Sequence, residues 1–167
     1  MLRINDIAPD FEAESTEGKI NFHSFLEGSW GILFSHPKDF TPVCTTELGY
    51  MAKIENEFQS RKCKLIGLSV DSIEEHVQWK KDIEETQKVK VNYPLIADKD
   101  LKIAKLYNML PAEEKNDGKR TAITNATVRS IFLIDPNKKI RMMLTYPMTT
   151  GRNFDEILRV LDSVQLS

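Results

Sequence analysis

Short apolar runs recur along the chain and predict the strands of a sheet. Residues 31–35 and 64–70 are continuous apolar stretches of the length that is typical of buried strands. Residues 128–134 and 140–146 flank the turn-forming sequence Asp-Pro-Asn-Lys-Lys and predict a hairpin. A short extended piece is expected over residues 92–97, where the proline favours a sheet edge or the start of a strand.

Apolar residues three and four positions apart predict the helices between these strands. Residues 44–59 show this spacing, and Ser72 with the glutamate three positions later predicts a capping box for a helix ending near residue 86. An aspartate is expected to cap a helix over residues 98–109, and Asn153 is expected to start the last helix. The apolar positions are Leu48, Met51, Ile54 and Phe58 in the first helix, Val77 and Ile83 in the second, and Ile157, Leu158, Leu161 and Val164 in the last.

The order of these elements is β-α-β-α-β-β-α, which predicts an α/β protein with a thioredoxin-like fold. Its central mixed sheet is expected to be flanked by helices. A turn at residues 17–19 predicts an additional N-terminal hairpin. Residues 111–126 are polar, with a turn expected at Asp117-Gly118.

Composition and charge narrow the class of protein. The chain has 167 residues, which fits one domain over residues 1–167. Lys and Arg total 23 against 25 for Asp and Glu, and this balance argues against nucleic-acid binding. No apolar run is long enough to span a membrane, and the N-terminus lacks a secretion signal. Two cysteines without an export signal predict free thiols in a reducing, cytoplasmic location.

The candidate chemistry lies where the first long strand leads into a helix. Cys44 is expected in the first turn of that helix, where unpaired N–H groups and the helix dipole stabilise a thiolate. Thr41 is expected to place a hydroxyl beside the sulfur, and Pro37 to shield it without competing for hydrogen bonds. His36 and Glu47 supply polar groups nearby in the sequence. Without these neighbours, a lone cysteine is more often a buried structural thiol.

The spacing Pro-x-x-x-Thr-x-x-Cys resembles the active-site signature of the peroxiredoxins. Here it runs from Pro37 through Thr41 to Cys44. The longer stretch 35–49 is similar to the one-cysteine (peroxiredoxin six) branch of this family. Further matches occur in order over essentially the whole chain, at residues 8–11, 29–34, 68–71, 93–98 and 146–157.

The resemblance implies a thiol-dependent peroxidase for hydrogen peroxide and organic or lipid hydroperoxides, with no metal and no cofactor. Cys44 matches the peroxidatic cysteine, which attacks the peroxide as a thiolate and becomes a sulfenic acid. Thr41 matches the residue that hydrogen-bonds sulfur and peroxide, and Pro37 matches the shield. Arg129 matches the arginine that holds the thiolate, a role that suits a permanently charged guanidinium. Polar residues around the site in that branch are matched by His36, Glu47 and Arg152.

Cys63 is not expected to form a disulfide with Cys44. A helix about 15 residues long, roughly 22 Å, separates the two, whereas a disulfide needs Cα atoms within about 7 Å. The sulfenic acid would then be reduced by an external thiol, such as glutathione or a thioredoxin-type donor. The absence of Cys-x-x-Cys argues against thiol–disulfide exchange. A peroxide sensor or redox relay, or a holdase, using the same cysteine remains the alternative.

Some one-cysteine peroxiredoxins are also credited with a phospholipase activity, to which His23 and Ser29 correspond here. The motif Gly-x-Ser-Trp-Gly has Glu27 in place of its first glycine. Asn137 stands where the branch has an aspartate, and Asn does not stabilise an imidazolium as a carboxylate does. Asp135 is close but out of register. Lipase activity is therefore not expected.

The resemblance also implies a homodimer. The strand at residues 140–146, expected at an edge of the sheet, matches the dimer contact of the family. In the one-cysteine branch the chain continues beyond the last helix with an arm that adds to this contact. We expect that C-terminal dimerisation arm to be absent from residues 1–167, which leaves the oligomeric state open.

Overall fold

The computed structural model describes residues 1–112 and 126–167, so the predicted turn at Asp117-Gly118 lies outside the described residues. The strands are β1 (Glu12–Ser15), β2 (Gly18–Asn21), β3 (Trp30–Ser35), β4 (Cys63–Ser69), β5 (Leu95–Ala97), β6 (Arg129–Ile134) and β7 (Ile140–Tyr146). The helices are α1 (Phe22–Phe25), α2 (Pro42–Lys53), α3 (Glu55–Ser60), α4 (Ile73–Gln87), α5 (Lys102–Leu106) and α6 (Phe154–Leu166). None of these helices is long and apolar enough to cross a membrane.

The strands form one mixed sheet in the order β2-β1-β5-β4-β3-β6-β7. Strands β3, β4 and β5 run parallel, and β6 pairs antiparallel with β3 on the other side. The N-terminal hairpin extends the sheet through an antiparallel bridge between Ser15 and Ile96. The predicted thioredoxin-like sheet with an N-terminal hairpin is confirmed, and β7 lies at its edge.

Both faces of the sheet are covered, because side chains alternate along each strand. Ile32 and Phe34 of β3 pack in one apolar cluster with α2, α4 and α6. Leu33, between them, packs in a second cluster on the opposite face with α1 and α5. The strand β3 therefore ends in a fixed position in the middle of the molecule, where the loop to α2 begins.

The predicted helix over residues 44–59 is interrupted. Ile54 leaves the helical conformation, with φ −105° and ψ 12°, so that α2 and α3 are separate helices. The predicted helix over residues 98–109 is also shorter, because only Lys102–Leu106 is helical. Asp98 does receive the backbone N–H groups of Ile103 and Ala104, as a cap would.

Two helix starts are confirmed in detail. Ser72 accepts a hydrogen bond from the Glu75 backbone, and the Glu75 side chain completes the capping box. Asn153 accepts hydrogen bonds from the first turn of α6. The apolar face predicted for α4 was wrong at Val77, which is 41% exposed. The buried face of α4 consists of His76, Trp79 and Ile83.

Candidate active site around Cys44

Cys44 lies at the start of α2, directly behind the end of β3. Thr41 is the N-cap, Pro42 is the first helical residue, and Cys44 is the third. The Cys44 side chain is fully buried. The first turn of a helix carries backbone N–H groups without intrahelical acceptors, and these favour a negative charge. Cys44 therefore lies next to the unpaired N–H groups of this first turn.

The loop between β3 and α2 carries the predicted shielding and polar residues. Pro37 is buried, as a shielding role requires. The Thr41 hydroxyl donates a hydrogen bond to the Lys38 carbonyl at 3.1 Å, so it is not directed at the sulfur as the sequence analysis expected. Phe40 has a φ of 67°, a conformation that costs a residue other than glycine about 1–3 kcal/mol. Surrounding contacts must hold this loop in place.

Glu47 joins the two predicted arginines. Its Oε1 accepts hydrogen bonds from Arg129 Nη1 at 2.6 Å and from Arg152 Nη2 at 2.9 Å. Its Oε2 accepts from the backbone N–H and Nε of Arg152 at 2.6 and 3.0 Å. All three side chains are buried. The sequence resemblance grouped these residues without showing that they form one ion cluster.

Backbone carbonyls fix the two guanidinium groups. Arg129 Nε donates to Met148 O at 2.7 Å, and Arg152 Nη1 donates to Ser130 O at 2.8 Å. Arg129 starts β6 beside the end of β3, where the Ser35 hydroxyl accepts the Ser130 N–H at 3.0 Å. Pairing of β3 with β6 therefore places an arginine far along the chain next to the active-site loop.

The ion cluster and the thiol share one face of α2. Cys44 and Glu47 are three residues apart, and side chains at this spacing are neighbours on a helix, with Cβ atoms about 5–6 Å apart. Among the described residues, Arg129 Nη2 has no hydrogen-bond acceptor. Within the part of the chain that the structure describes, the Arg129 guanidinium thus keeps N–H groups available to a further acceptor.

Charges decide the protonation state of Glu47. Burial acts to raise the pKa of this carboxyl, but the hydrogen bonds and charge of Arg152, with the charge of Arg129, hold the pKa below its usual value. Glu47 is therefore a carboxylate at neutral pH. It holds the two arginines in place and offsets one of their two positive charges.

A second buried polar cluster lies beside the loop and was missed by the sequence analysis, except for His36. Asp39 Oδ1 lies 2.6 Å from His36 Nε2, and Asp39 Oδ2 lies 2.5 Å from His76 Nδ1. All three side chains are buried. The available signal was the spacing of His76 with Trp79 and Ile83 at three and seven residues, which marks a buried helix face.

These three side chains are the only potential metal-ligating group of that size within residues 1–112 and 126–167. Two ligands of a tetrahedral zinc ion would lie roughly 3.3 Å apart, given bonds of about 2.0–2.1 Å. The observed separations of 2.5 and 2.6 Å are too short for that arrangement. They fit hydrogen bonds, each with one proton between the two heavy atoms.

The residues considered for phospholipase activity do not form a triad in the structure. His23 Nε2 lies 2.6 Å from the Ala8 carbonyl, which accepts its proton. Asp135 Oδ1 accepts the backbone N–H groups of Asn137 and Lys139, so it closes its own turn. Ser29 lies in the turn before β3. We propose no lipase activity for this chain.

Cys63, the first residue of β4, is buried, with 2% of its surface exposed. Burial raises the pKa of its thiol to about 12. Among the described residues, its sulfur has one long hydrogen-bond contact, at 3.9 Å from the Lys64 carbonyl oxygen, and packs in the apolar cluster. A buried thiol in this environment is a poor nucleophile.

We expect Cys63 to be unreactive in the folded protein. In a Cys44→Ser variant, Cys63 is the remaining thiol, and at pH 8 a pKa of about 12 leaves roughly one thiol in ten thousand ionised. Its reaction with a disulfide reagent such as DTNB should be at least about a hundredfold slower than in the same variant unfolded in urea. Equal rates in the two states would show that Cys63 is accessible.

A buried thiol at the start of a helix, behind the central strand of a thioredoxin-like sheet and beside a fixed arginine, defines a class of thiol-based redox proteins. The chain belongs to the AhpC/TSA family, whose model matches residues 4–143. It is 54% identical over 166 residues to the 1-Cys peroxiredoxin of Dictyostelium discoideum and 53% identical to peroxiredoxin-6 of Mus musculus. Each alignment covers 99% of this chain, but 66% of the first relative and 74% of the second.

Solved structures agree with this assignment. The peroxiredoxin 6 of Arenicola marina has a TM-score of 0.90 and 45% identity, covering 99% of this chain and 74% of that one. A yeast mitochondrial 1-Cys peroxiredoxin has a TM-score of 0.87 and 52% identity, covering 99% and 78% of the two chains. Its thiol is described as resolved through glutathione/thioredoxin systems.

Proposed function

We propose that this chain is a thiol-dependent peroxidase that reduces hydrogen peroxide and organic or lipid hydroperoxides by a one-cysteine mechanism. The Cys44 thiolate attacks one peroxide oxygen, so that an S–O bond forms as the O–O bond breaks. Sulfur loses two electrons and the peroxide gains them. The leaving oxygen takes up one proton and departs as water or an alcohol, and Cys44 is left as a sulfenic acid.

One observation carries this proposal: the ion cluster of Arg129, Glu47 and Arg152 lies on the helix face that bears Cys44. Arg129 Nη2 has no acceptor among residues 1–112 and 126–167, so its N–H groups can stabilise negative charge on the thiolate and on the leaving oxygen. Because Glu47 and the Met148 carbonyl already hold the guanidinium, little reorganisation is needed when that charge develops. We assign Cys44 and Arg129 as the catalytic residues.

The remaining predicted residues receive supporting roles in this proposal. Pro37 shields the thiol. Thr41 is the N-cap residue of α2, and its hydroxyl must leave the Lys38 carbonyl before it can donate to a peroxide. Glu47 holds Arg129, and Arg152 in turn fixes Glu47. These roles give each residue of the motif a part in placing or stabilising the reacting sulfur.

The sulfenic acid needs a thiol from outside the chain, because Cys63 is buried and poorly ionised. One thiol molecule forms a mixed disulfide with Cys44 and releases water. A second thiol molecule breaks that disulfide and restores Cys44. Glutathione or a thioredoxin-type protein is the proposed donor, and the description of the yeast relative supports it.

Substrate range, assembly and location belong to the same proposal. A groove of about 510 Å³ runs beside the first turn of α2 and has apolar walls that include Val43, Tyr50 and Phe154, which suits an organic hydroperoxide.

The edge position of β7 supports a homodimer through that strand. We propose a cytoplasmic location, although one relative, from Saccharomyces cerevisiae, is named as mitochondrial. The names of the relatives favour a peroxidase over the sensor or holdase alternative.

The proposal is tested by following hydrogen peroxide and cumene hydroperoxide consumption with glutathione or a reduced thioredoxin as the donor. We expect many turnovers per protein molecule with at least one donor, and a dimedone adduct on Cys44 when the donor is omitted. Oxidation no faster than that of free cysteine would refute the peroxidase. One rapid oxidation event without turnover by any donor would instead favour the sensor.

A further inference from the structure

The buried polar cluster of His36, Asp39 and His76 is not explained by the ion cluster or by the peroxide chemistry of Cys44. It connects three parts of the fold. His36 and Asp39 lie in the loop between β3 and α2, and His76 projects from the buried face of α4. One ring nitrogen of His76, Nδ1, faces Asp39, and the other, Nε2, lies 2.9 Å from the Ile96 carbonyl of β5. The polar cluster therefore anchors the active-site loop to α4 and to the sheet.

Hydrogen-bond chemistry assigns the protons of His76. A carbonyl oxygen only accepts, so His76 Nε2 must carry the proton shared with Ile96. Its Nδ1 faces Asp39 Oδ2 at 2.5 Å. If Asp39 is a carboxylate, it also only accepts, and His76 must donate from both nitrogens. His76 is then a buried imidazolium paired with a buried carboxylate.

The state of Asp39 supports this assignment. Burial acts to raise the pKa of Asp39, but the hydrogen bonds and charges of His36 and His76 outweigh it and bring the pKa to about 2. Asp39 is therefore ionised at neutral pH. Its backbone N–H is held separately by Asp71 Oδ2 at 2.9 Å, and the Ser69 hydroxyl donates to that same oxygen at 2.7 Å.

The same logic assigns the tautomer of His36. Its Nε2 donates to the Asp39 carboxylate, and its buried Nδ1 has no partner among the described residues. Burial lowers the pKa of His36 below its usual value, despite the opposing effect of Asp39. A neutral ring with the proton on Nε2 leaves Nδ1 as a bare acceptor, which is less costly to bury than an unpaired N–H group.

The position of the polar cluster next to the active-site loop indicates its role. Asp39 directly precedes Phe40, whose φ of 67° is unfavourable, and Phe40 directly precedes the N-cap Thr41. Strained backbone persists only when surrounding contacts determine it. His76 is fixed in turn, because its backbone N–H bonds to Ser72 O in the capped first turn of α4.

We propose that His76 is a positioning residue for the peroxide reaction. As a buried imidazolium it holds the Asp39 carboxylate, and Asp39 then fixes both the Nε2–H tautomer of His36 and the strained loop that delivers Pro37 and Thr41 to Cys44. His76 itself does not touch the reacting atoms. This inference rests on the proposed peroxidase function, which gives the loop its purpose.

Two substitutions at position 76 separate the two hydrogen bonds of the imidazole. His76→Asn keeps a donor at the place of Nδ1, facing Asp39, and loses the bond to Ile96. His76→Gln keeps a donor at the place of Nε2, facing Ile96 O, and loses the bond to Asp39. His76→Ala removes both. The chain has three histidines, so His23→Ala serves as the control for removal of a histidine outside the loop, and it simplifies assignment of ring signals.

The expected result is graded. His76→Ala and His76→Gln should lower the second-order rate of Cys44 oxidation by hydrogen peroxide about tenfold to a hundredfold, the effect of a misplaced catalytic geometry. His76→Asn should recover most of the wild-type rate, and His23→Ala should keep it. In the folded wild type at pH 7, nitrogen-15 spectra of the rings should show one histidine protonated on both nitrogens, His76, and one with a bare Nδ1, His36.

The proposal would be overturned if His76→Gln, rather than His76→Asn, restored the rate, or if all three variants reacted like the wild type. It would also be overturned if His36 carried its proton on Nδ1. The ring spectra need only the wild-type protein, so a variant that fails to fold leaves the inference testable. If wild-type Cys44 reacts no faster than free cysteine, the peroxidase proposal fails. The spectra still decide whether His76 is protonated on both nitrogens and His36 on Nε2.

Discussion

Replacing Cys44 by Ser is expected to abolish the reaction with peroxide. Serine is nearly isosteric with cysteine, so the buried position should tolerate it, but a hydroxyl is not ionised at neutral pH and does not attack an O–O bond. We expect the rate in stopped-flow measurements with hydrogen peroxide to fall by at least about a thousandfold, to the background of the buffer.

Cys63→Ser is the matched control, because it removes the other thiol of the chain by the same substitution. It should react as fast as the wild type and form the same dimedone adduct on Cys44. A rate that is lost in Cys63→Ser and kept in Cys44→Ser would reverse the roles of the two cysteines. Loss of the rate in both variants would indicate that the two thiols act together and would contradict a one-cysteine mechanism.

Glu47→Gln is expected to have the largest effect on stability. The amide leaves Arg129 and Arg152 buried without a carboxylate, and breaking a buried ion pair costs about 3–5 kcal/mol. Urea unfolding at pH 7 should show this loss in the free energy of unfolding. The rate of Cys44 oxidation should also fall, since Arg129 would lose its carboxylate partner and keep only the Met148 carbonyl as a fixed acceptor.

The surface pair of Glu57 and Arg61 provides the control for Glu47→Gln. Glu57→Gln makes the same chemical change where the partners are partly exposed, and such pairs contribute about 0–1 kcal/mol. Similar losses in the two variants would mean that the buried cluster contributes no more than a surface pair. That outcome would remove the reason for assigning Glu47 a positioning role.

The contribution of Glu47 should depend on pH in a defined direction. Its pKa in the folded protein is lowered, so the unfolded chain binds this proton first as the solution is acidified. The stabilisation is fully present above the ordinary glutamate pKa of about 4.3 and is lost as the pH falls through the lower, folded value. The stability difference between wild type and Glu47→Gln should therefore shrink in acid, and a difference that grew in acid would contradict the assigned protonation state.

The parts of the site that the sequence could predict are those that lie close together along the chain. The Pro37–Thr41–Cys44 spacing, the capping box at Ser72 and the edge strand at residues 140–146 all depend on local patterns. The resemblance supplied Arg129, but its contact with Glu47 depends on the pairing of β3 with β6, which joins residues far apart in the chain. No local pattern encodes such a contact.

The misses also have physical causes. The break at Ile54 occurs inside a continuous apolar spacing. Ile54 packs against the same core cluster as α2 and α3, so the spacing continues although the backbone leaves the helical conformation. Apolar residues alone do not mark the buried face of α4, because the buried position next to Val77 is a histidine, His76. A polar residue is buried only where hydrogen-bond partners are present. The partner of His76 is Asp39, which lies in a different part of the chain, so the local sequence does not reveal it.

The ion cluster also has a consequence for the order of events during turnover. With Cys44 as a thiolate, Arg129, Arg152 and Glu47 complete a group of four side chains whose formal charges cancel. In the proposed reaction, oxidation to a neutral sulfenic acid removes one negative charge. The buried group of four side chains is then left with a net positive charge. The next reactant, a thiolate, is an anion. In the proposed mechanism, each oxidation would therefore leave a net positive charge that attracts the thiolate donor.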